Sequence, residues 1–184
     1  MSMTNEQRRP GMSEPLYYED LSEGDCWRSL GRTITEADVV NFAGITGDFD
    51  PLHMDHEFAR QTPFGKPIAH GLLGLSLVAG LSSHFPCVKT LAFTKIENWE
   101  FHKPLYIGDT VYAETEVTDK QTKGRRTGYV TWHRRLVNQN GEVVQSGVLE
   151  TLVYVKNVTR NRKKSAPPPD SGSTTPGPED REDD

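Results

Sequence analysis

The spacing of apolar and polar residues divides the chain into an early helical part and a later stranded part. Thr35, Asp38, Val39, Phe42 and Ala43 follow the grammar of an amphipathic helix. Thr35 suits the N-cap, and Asp38 three residues on makes an approximate capping box. Ile34 and Val39 occupy the two positions of a hydrophobic staple. Gly47 stands at the usual glycine stop, so a helix is predicted over 35–46. The stretch Asp48–Asp55 then reads as a loop, followed by a short helix over His56–Gln61 and a second loop, 62–69, marked by Pro63, Gly65 and Pro67. From His70 to Leu81 the sequence is helix-length and apolar on nearly every side, which predicts a helix buried all round. Gly71, Gly74 and Gly80 each weaken that helix by about 1 kcal/mol relative to alanine, a cost that fits other backbone passing close by.

After Pro86 the period changes to two. A short strand is expected around Asp25–Thr33, and Leu91–Phe101 is extended with Trp99 and Phe101 on one face. Val111, Ala113, Thr115 and Val117 alternate with Tyr112, Glu114 and Glu116 in the next strand, Thr110–Val117. Arg126–Asn138 and Glu142–Lys156 read as two long strands around Asn138-Gln139-Asn140-Gly141, where Asn-Gly is a hairpin signal. The last strand is apolar on both faces at its centre and is placed in the interior of the sheet. Helices first and antiparallel strands afterwards imply an α+β fold, with one apolar helix wrapped by a curved antiparallel sheet. Such a sheet keeps an edge, which a second copy can cover, so a homodimer or higher homo-oligomer is expected.

Composition alters this picture at the ends. From Ser165 to Asp184 there is no aromatic or branched aliphatic residue, which is the composition of a disordered tail. That tail carries a net −5, the same as the whole chain, so the body before it is neutral and is not read as a nucleic-acid binder. The expected organisation is a flexible leader at 1–14, one folded domain over 15–158, and a basic-then-acidic tail at 159–184. Arg160, Arg162, Lys163 and Lys164 open that tail and read as a solvated end rather than an anion contact. Cys26 and Cys87 lie far apart with no partner motif and are read as reduced. No signal peptide or membrane-length apolar run is visible, and a cytoplasmic protein is expected.

Candidate chemistry lies in the loop Asp48-Phe49-Asp50-Pro51-Leu52-His53. It holds a carboxylate and an imidazole five positions apart around Pro51, which fixes its own φ and stiffens the loop. A general acid–base pair needs that kind of fixed separation. On the loop alone, an Asx-turn Asp48 and a capping His53 explain the residues equally well. His70-Gly71 adds to the argument, because it opens an apolar helix whose first N–H groups attract developing negative charge, as a thioester oxygen acquires on becoming an enolate. His56, His84, His102 and His133 look like surface or strand positions, and no Cys/His spacing suggests zinc.

The stretch GDFDPLHMDHEFARQTPFGKPIAHGLLGLSLVAG resembles the hydratase motif of the MaoC-like dehydratases, the (R)-specific enoyl-CoA hydratases. Asp48, Phe49, Pro51, His53, Asp55, Phe64, Pro67, Ile68, His70 and Gly71 match it, and Lys103–Val111 is similar to a later family segment. The resemblance spans Tyr17–Lys156 and implies a hotdog fold. It further implies an acyl-CoA thioester as substrate, with coenzyme A part of that substrate and no separate cofactor or metal. The implied reaction is reversible addition of water to a trans-2-enoyl-CoA, giving the (R)-3-hydroxyacyl-CoA. Asp48 and His53 would be the catalytic pair, Gly71 N–H would bind the thioester oxygen, and His70 would support the substrate site, orienting the loop. Two positions depart from the pattern. Asp50 replaces the usual Asn and is expected to face solvent, and Ala79 stands where some members carry a serine, with Ser76 one turn earlier. Lys66, Lys95, Lys103, Arg125 and Arg126 are available for the coenzyme A phosphates. A hotdog thioesterase is a weaker alternative, because residues 71–83 hold no Asp or Glu to activate water at a carbonyl. A non-catalytic acyl-CoA-binding module is disfavoured by the intact pair.

Overall fold

The computed structural model describes residues 14–156. Of the expected leader only Glu14 falls within them, and the tail at 159–184 lies outside. The elements run β1 (Cys26–Arg28), β2 (Arg32–Thr33), α1 (Glu36–Thr46), α2 (Pro51–Met54), α3 (His56–Arg60), α4 (Gly71–Ser82), β3 (Thr90–Phe101), β4 (Thr110–Lys123), β5 (Thr127–Val137) and β6 (Val143–Tyr154). One antiparallel sheet has the order β1-β4-β5-β6-β3, with β2 also pairing β4, and α4 packs against β4 and β5. The expected strand at 25–33 is thus two short ones, β1 and β2. No described helix is long and apolar enough to cross a membrane.

Local chemistry explains the frame. Thr35 accepts from Asp38 N–H while the Asp38 carboxylate accepts from Thr35 N–H, the reciprocal capping box expected. Burial works against the Asp38 carboxylate, but hydrogen bonds from Thr35 and the Arg32 guanidinium outweigh it and hold its carboxyl below the ordinary range. Gly47 ends α1 in the left-handed region, φ 77°. At the β5–β6 hairpin the Asn138 side chain accepts from the N–H groups of Asn140 and Glu142, and Gly141 takes φ 77°. β6 lies between β5 and β3, in the sheet interior as its sequence required.

Other expectations change as well. Pro51–Met54 is a helical turn rather than a loop, because Pro51 occupies its first position and Asp50 caps it by accepting from Leu52 N–H. α4 is buried on one side only. Leu73, Gly74, Val78 and Ser82 face inward, whereas Leu72, Ser76, Ala79 and Gly80 are exposed. An all-round apolar sequence names no preferred face, and within one protomer the sheet covers only one.

The glycines of α4 admit side chains rather than backbone. A Cβ on Gly71 would meet the Phe101 ring at 2.9 Å, one on Gly74 would run into the Gln145 amide, and Gly80 faces open space. Gln145, 2% exposed, donates from Nε2 to Gly71 O at 3.0 Å and accepts from Trp99 Nε1 at 3.3 Å. It thereby ties the start of α4 to β3. Leu73 and Val78 complete the core with Val39, Val111, Leu136 and Val144.

Thr35→Ala should lower unfolding free energy by about 1 kcal/mol in urea titration, the usual cost of losing a cap. Asp38 should contribute stability above its unfolded pKa, about 4, and lose it as pH falls through its lower folded value, so the gap between wild type and Asp38→Asn should narrow in acid. Gly74→Ala should cost about 1–3 kcal/mol through overpacking, since Gln145 cannot retreat without leaving both partners. An unchanged urea midpoint would show that Gln145 is not held there.

Candidate active site

His53 sits in α2, and its Nδ1 lies 2.7 Å from the backbone oxygen of Ile68. A carbonyl only accepts, so Nδ1 carries the proton and Nε2 keeps its lone pair. The loop 62–69 supplies that carbonyl and is itself fixed by Ala69 N–H donating to Leu105 O at 2.7 Å. His70, 3% exposed, uses the same device in the other direction. Its Nε2 donates to Asp48 O at 2.9 Å and its ring lies 3.9 Å, centroid to centroid, from that of His53. His70 Nδ1 is buried with no hydrogen-bond partner among the described residues. The two imidazoles form a stack that holds the chain at Asp48 and the chain at Ile68 against each other.

Asp48 lies just beyond the α1 stop. Its Oδ1 accepts from Asp50 N–H at 3.3 Å, so the Asx-turn reading of this residue is part of the geometry. Its Oδ2 is 3.9 Å from His70 Nε2, and the side chain remains half exposed. A carboxylate oxygen of Asp48 and ring nitrogens of His53 and His70 all lie within 4.8 Å of one another. That separation is compatible with a metal ion, but His53 Nδ1 and His70 Nε2 already bond backbone carbonyls. As a donor set the trio is better suited to moving protons. Asp50 is exposed, as expected, and its carboxylate caps α2 by accepting from Leu52 N–H.

Gly71 is the first residue of α4, and the preceding His70 provides no side-chain cap. Among the described residues Gly71 N–H has no backbone or side-chain acceptor, which leaves the positive end of the helix open. Gly71 and His53 line one cavity of about 350 Å³ together with Phe64, Phe101, Lys103 and Gln145. Asp48 flanks His53 and is not part of that lining. The Ser76 hydroxyl donates back to Leu72 O at 2.8 Å and gives Asp48 no support.

Among the cations considered for phosphates, Lys103 lines the cavity and is paired with Glu142, and Lys66 lies 4.4 Å over the Tyr106 ring. Lys95 pairs with Glu97 on β3. Arg125 and Arg126 precede Thr127, which pairs with Tyr154, whereas the cavity is at Gln145. Those positions are nine apart on β6, roughly 30 Å, which removes both arginines from the cavity of their own protomer. Gln145 was missed in the sequence. The signal was parity: it shares the inward face of β6 with Leu149, Thr151 and Val153.

Residues 23–139 match the family model described as MaoC like domain. A Methylorubrum extorquens protein named 3-hydroxybutyryl-CoA dehydratase is 39% identical over 60% of this chain and 69% of its own. A Rhodospirillum rubrum protein named (R)-specific enoyl-CoA hydratase is 36% identical over 74% of this chain and 91% of its own. A Mycobacterium tuberculosis protein described as having a double hotdog fold superposes with a TM-score of 0.67 at 22% identity, over 77% of this chain and 45% of that one, a likeness of fold alone. The helix α4 held in its curved antiparallel sheet is that hotdog arrangement, and with more than half its length matched the chain belongs to the MaoC-like domain family.

Proposed function

We propose that this protein catalyses the reversible hydration of trans-2-enoyl-CoA thioesters to (R)-3-hydroxyacyl-CoA. One observation carries the reading: His53 and Gly71 line the same cavity, with His53 Nε2 and Gly71 N–H unbonded among the described residues, and the Asp48 carboxylate lies beside His53. The thioester oxygen accepts from Gly71 N–H, where the enolate charge that builds during addition meets the start of α4. Asp48 and His53 hold the water between them. One proton of the water passes to the pair, the hydroxide forms the bond to C3, and the pair returns a proton to C2. His53 is suited to that exchange because Nδ1–H is fixed on Ile68 O, which leaves Nε2 as the exchanging nitrogen. His70 is a positioning residue, buried and stacked on His53. The relatives named for hydration and dehydration of CoA thioesters support the same chemistry.

The protomer is proposed to work as a homodimer. β3 is an edge strand of 12 residues, exposed at nearly every position, and Leu91, Phe93, Ile96 and Phe101 on it are each about half exposed. A long apolar edge invites pairing with another strand.

Absorbance of the enoyl thioester should fall when wild type meets crotonyl-CoA. Asp48→Asn and His53→Gln should each slow that fall by about a hundred- to ten-thousand-fold, the usual share of a general acid–base group. Wild-type rates in both variants would defeat the assignment. Light scattering should give a dimer mass for wild type and a monomer for Leu91→Glu with Ile96→Glu, and a dimer in both would place the interface elsewhere.

A further inference from the structure

A second cavity of about 200 Å³ opens at the far end of α4, lined among others by Ala79, Ser82, Phe93, Trp132, Arg134 and Thr151. Most of its wall is apolar. Ser82, Ser83, Thr90 and Thr151 add hydroxyls, and Arg134 is the one charged residue in that lining. It projects from β5 on the same inward face as Trp132 and Leu136 and is only 7% exposed. Among the described residues it makes no ion pair, and its Nε has no hydrogen-bond partner. The guanidinium lies 5.4 Å from the centroid of the Trp132 ring. Burial pushes its pKa down to about 10, which leaves it cationic at neutral pH. The indole N–H of Trp132 is occupied by Thr151 Oγ1 at 2.8 Å, and no lining residue is acidic. A buried cation with no counter-charge is expensive to keep, and removing it in favour of an apolar side chain is ordinarily tolerated. Its presence at the wall of a cavity therefore points to an anion that arrives from outside the protomer.

α4 connects this cavity with the first. Gly71 lines one, and Ala79 and Ser82 line the other, about 12 and 16 Å further along the axis. Between them the outer side of the helix is exposed and carries Leu72, Ser76 and Ala79, an apolar or small-residue track with no charge on it. An acyl chain whose thioester rests at Gly71 can lie along that track with its far end at Arg134. A methyl terminus would leave the guanidinium desolvated and unpaired, whereas a carboxylate would take its forked donors in a bidentate pair.

We propose that Arg134 binds a carboxylate at the distal end of the acyl group, so that the preferred substrate is a carboxylated acyl-CoA rather than a simple fatty acyl-CoA. The proposal rests on the hydratase reading for its placement of the thioester, and its test does not depend on turnover. Calorimetric binding of saturated, unreactive CoA thioesters is compared at matched length, hexanoyl-CoA against adipyl-CoA and decanoyl-CoA against sebacyl-CoA. Wild type should prefer the carboxylated member of at least one pair by about tenfold or more, the scale of one charge-assisted contact. Arg134→Met, which keeps the apolar stem, should bind both members of that pair alike. Equal binding within both pairs by wild type overturns the proposal, as does a preference that persists in Arg134→Met. The wild-type comparison decides the matter even where the variant does not fold. Crotonyl-CoA hydration by wild type without the carboxylate preference sinks this proposal alone, and the preference without any hydration sinks the hydratase reading alone.

Discussion

The hydrogen bond from His53 Nδ1–H to the carbonyl of Ile68 is the contact on which the site depends. It joins α2 to the loop before α4, sets the imidazole tautomer, and decides which nitrogen keeps its lone pair. A neutral imidazole has one donor and one acceptor, so committing the donor to backbone creates a base without any shift in charge. His70 repeats the logic on Asp48 O, and its ring stacks on His53. Two short segments with little core of their own are thus fixed through backbone carbonyls, and the spacing of Asp48 from His53 follows from them.

The other half of the site is the open start of α4, and its placement depends on a buried amide. Gln145 reaches Gly71 O with one end and Trp99 with the other, and Gly74 leaves the space in which it lies. The same parity of inward positions that buries Gln145 on β6 buries Arg134 on β5. One polar side chain is satisfied within the protomer and sets the geometry of the helix start. The other has an Nε without a partner among the described residues, and it is there that the proposed carboxylate would bind.

Much of the frame was legible in the sequence because its causes are local. The capping box at Thr35 and Asp38, the stop at Gly47 and the Asn140-Gly141 turn each follow from neighbours within four residues. The alternation in β4 gave its buried face directly, since period two needs no knowledge of a partner strand. α2 was hidden for a local reason: Asp50-Pro51 carries both a loop stiffener and an N-cap followed by a first helical residue, and the chain uses the second. The half-exposed α4 was hidden for a global one, because apolar residues on every side do not reveal which side the protomer covers. Asp48 and His53 stand out in the sequence as candidates, but the stack with His70 and the bond to Ile68 join positions 15 to 22 apart through loops whose path no pattern encodes.

The central claim is a reaction, and the product is its most direct test. Crotonyl-CoA incubated with wild-type protein should yield 3-hydroxybutyryl-CoA with the CoA thioester intact, and chiral chromatography should find the (R) configuration alone. Release of free coenzyme A thiol in place of a hydrated thioester, or an (S) or racemic product, would contradict the account built on Asp48, His53 and Gly71.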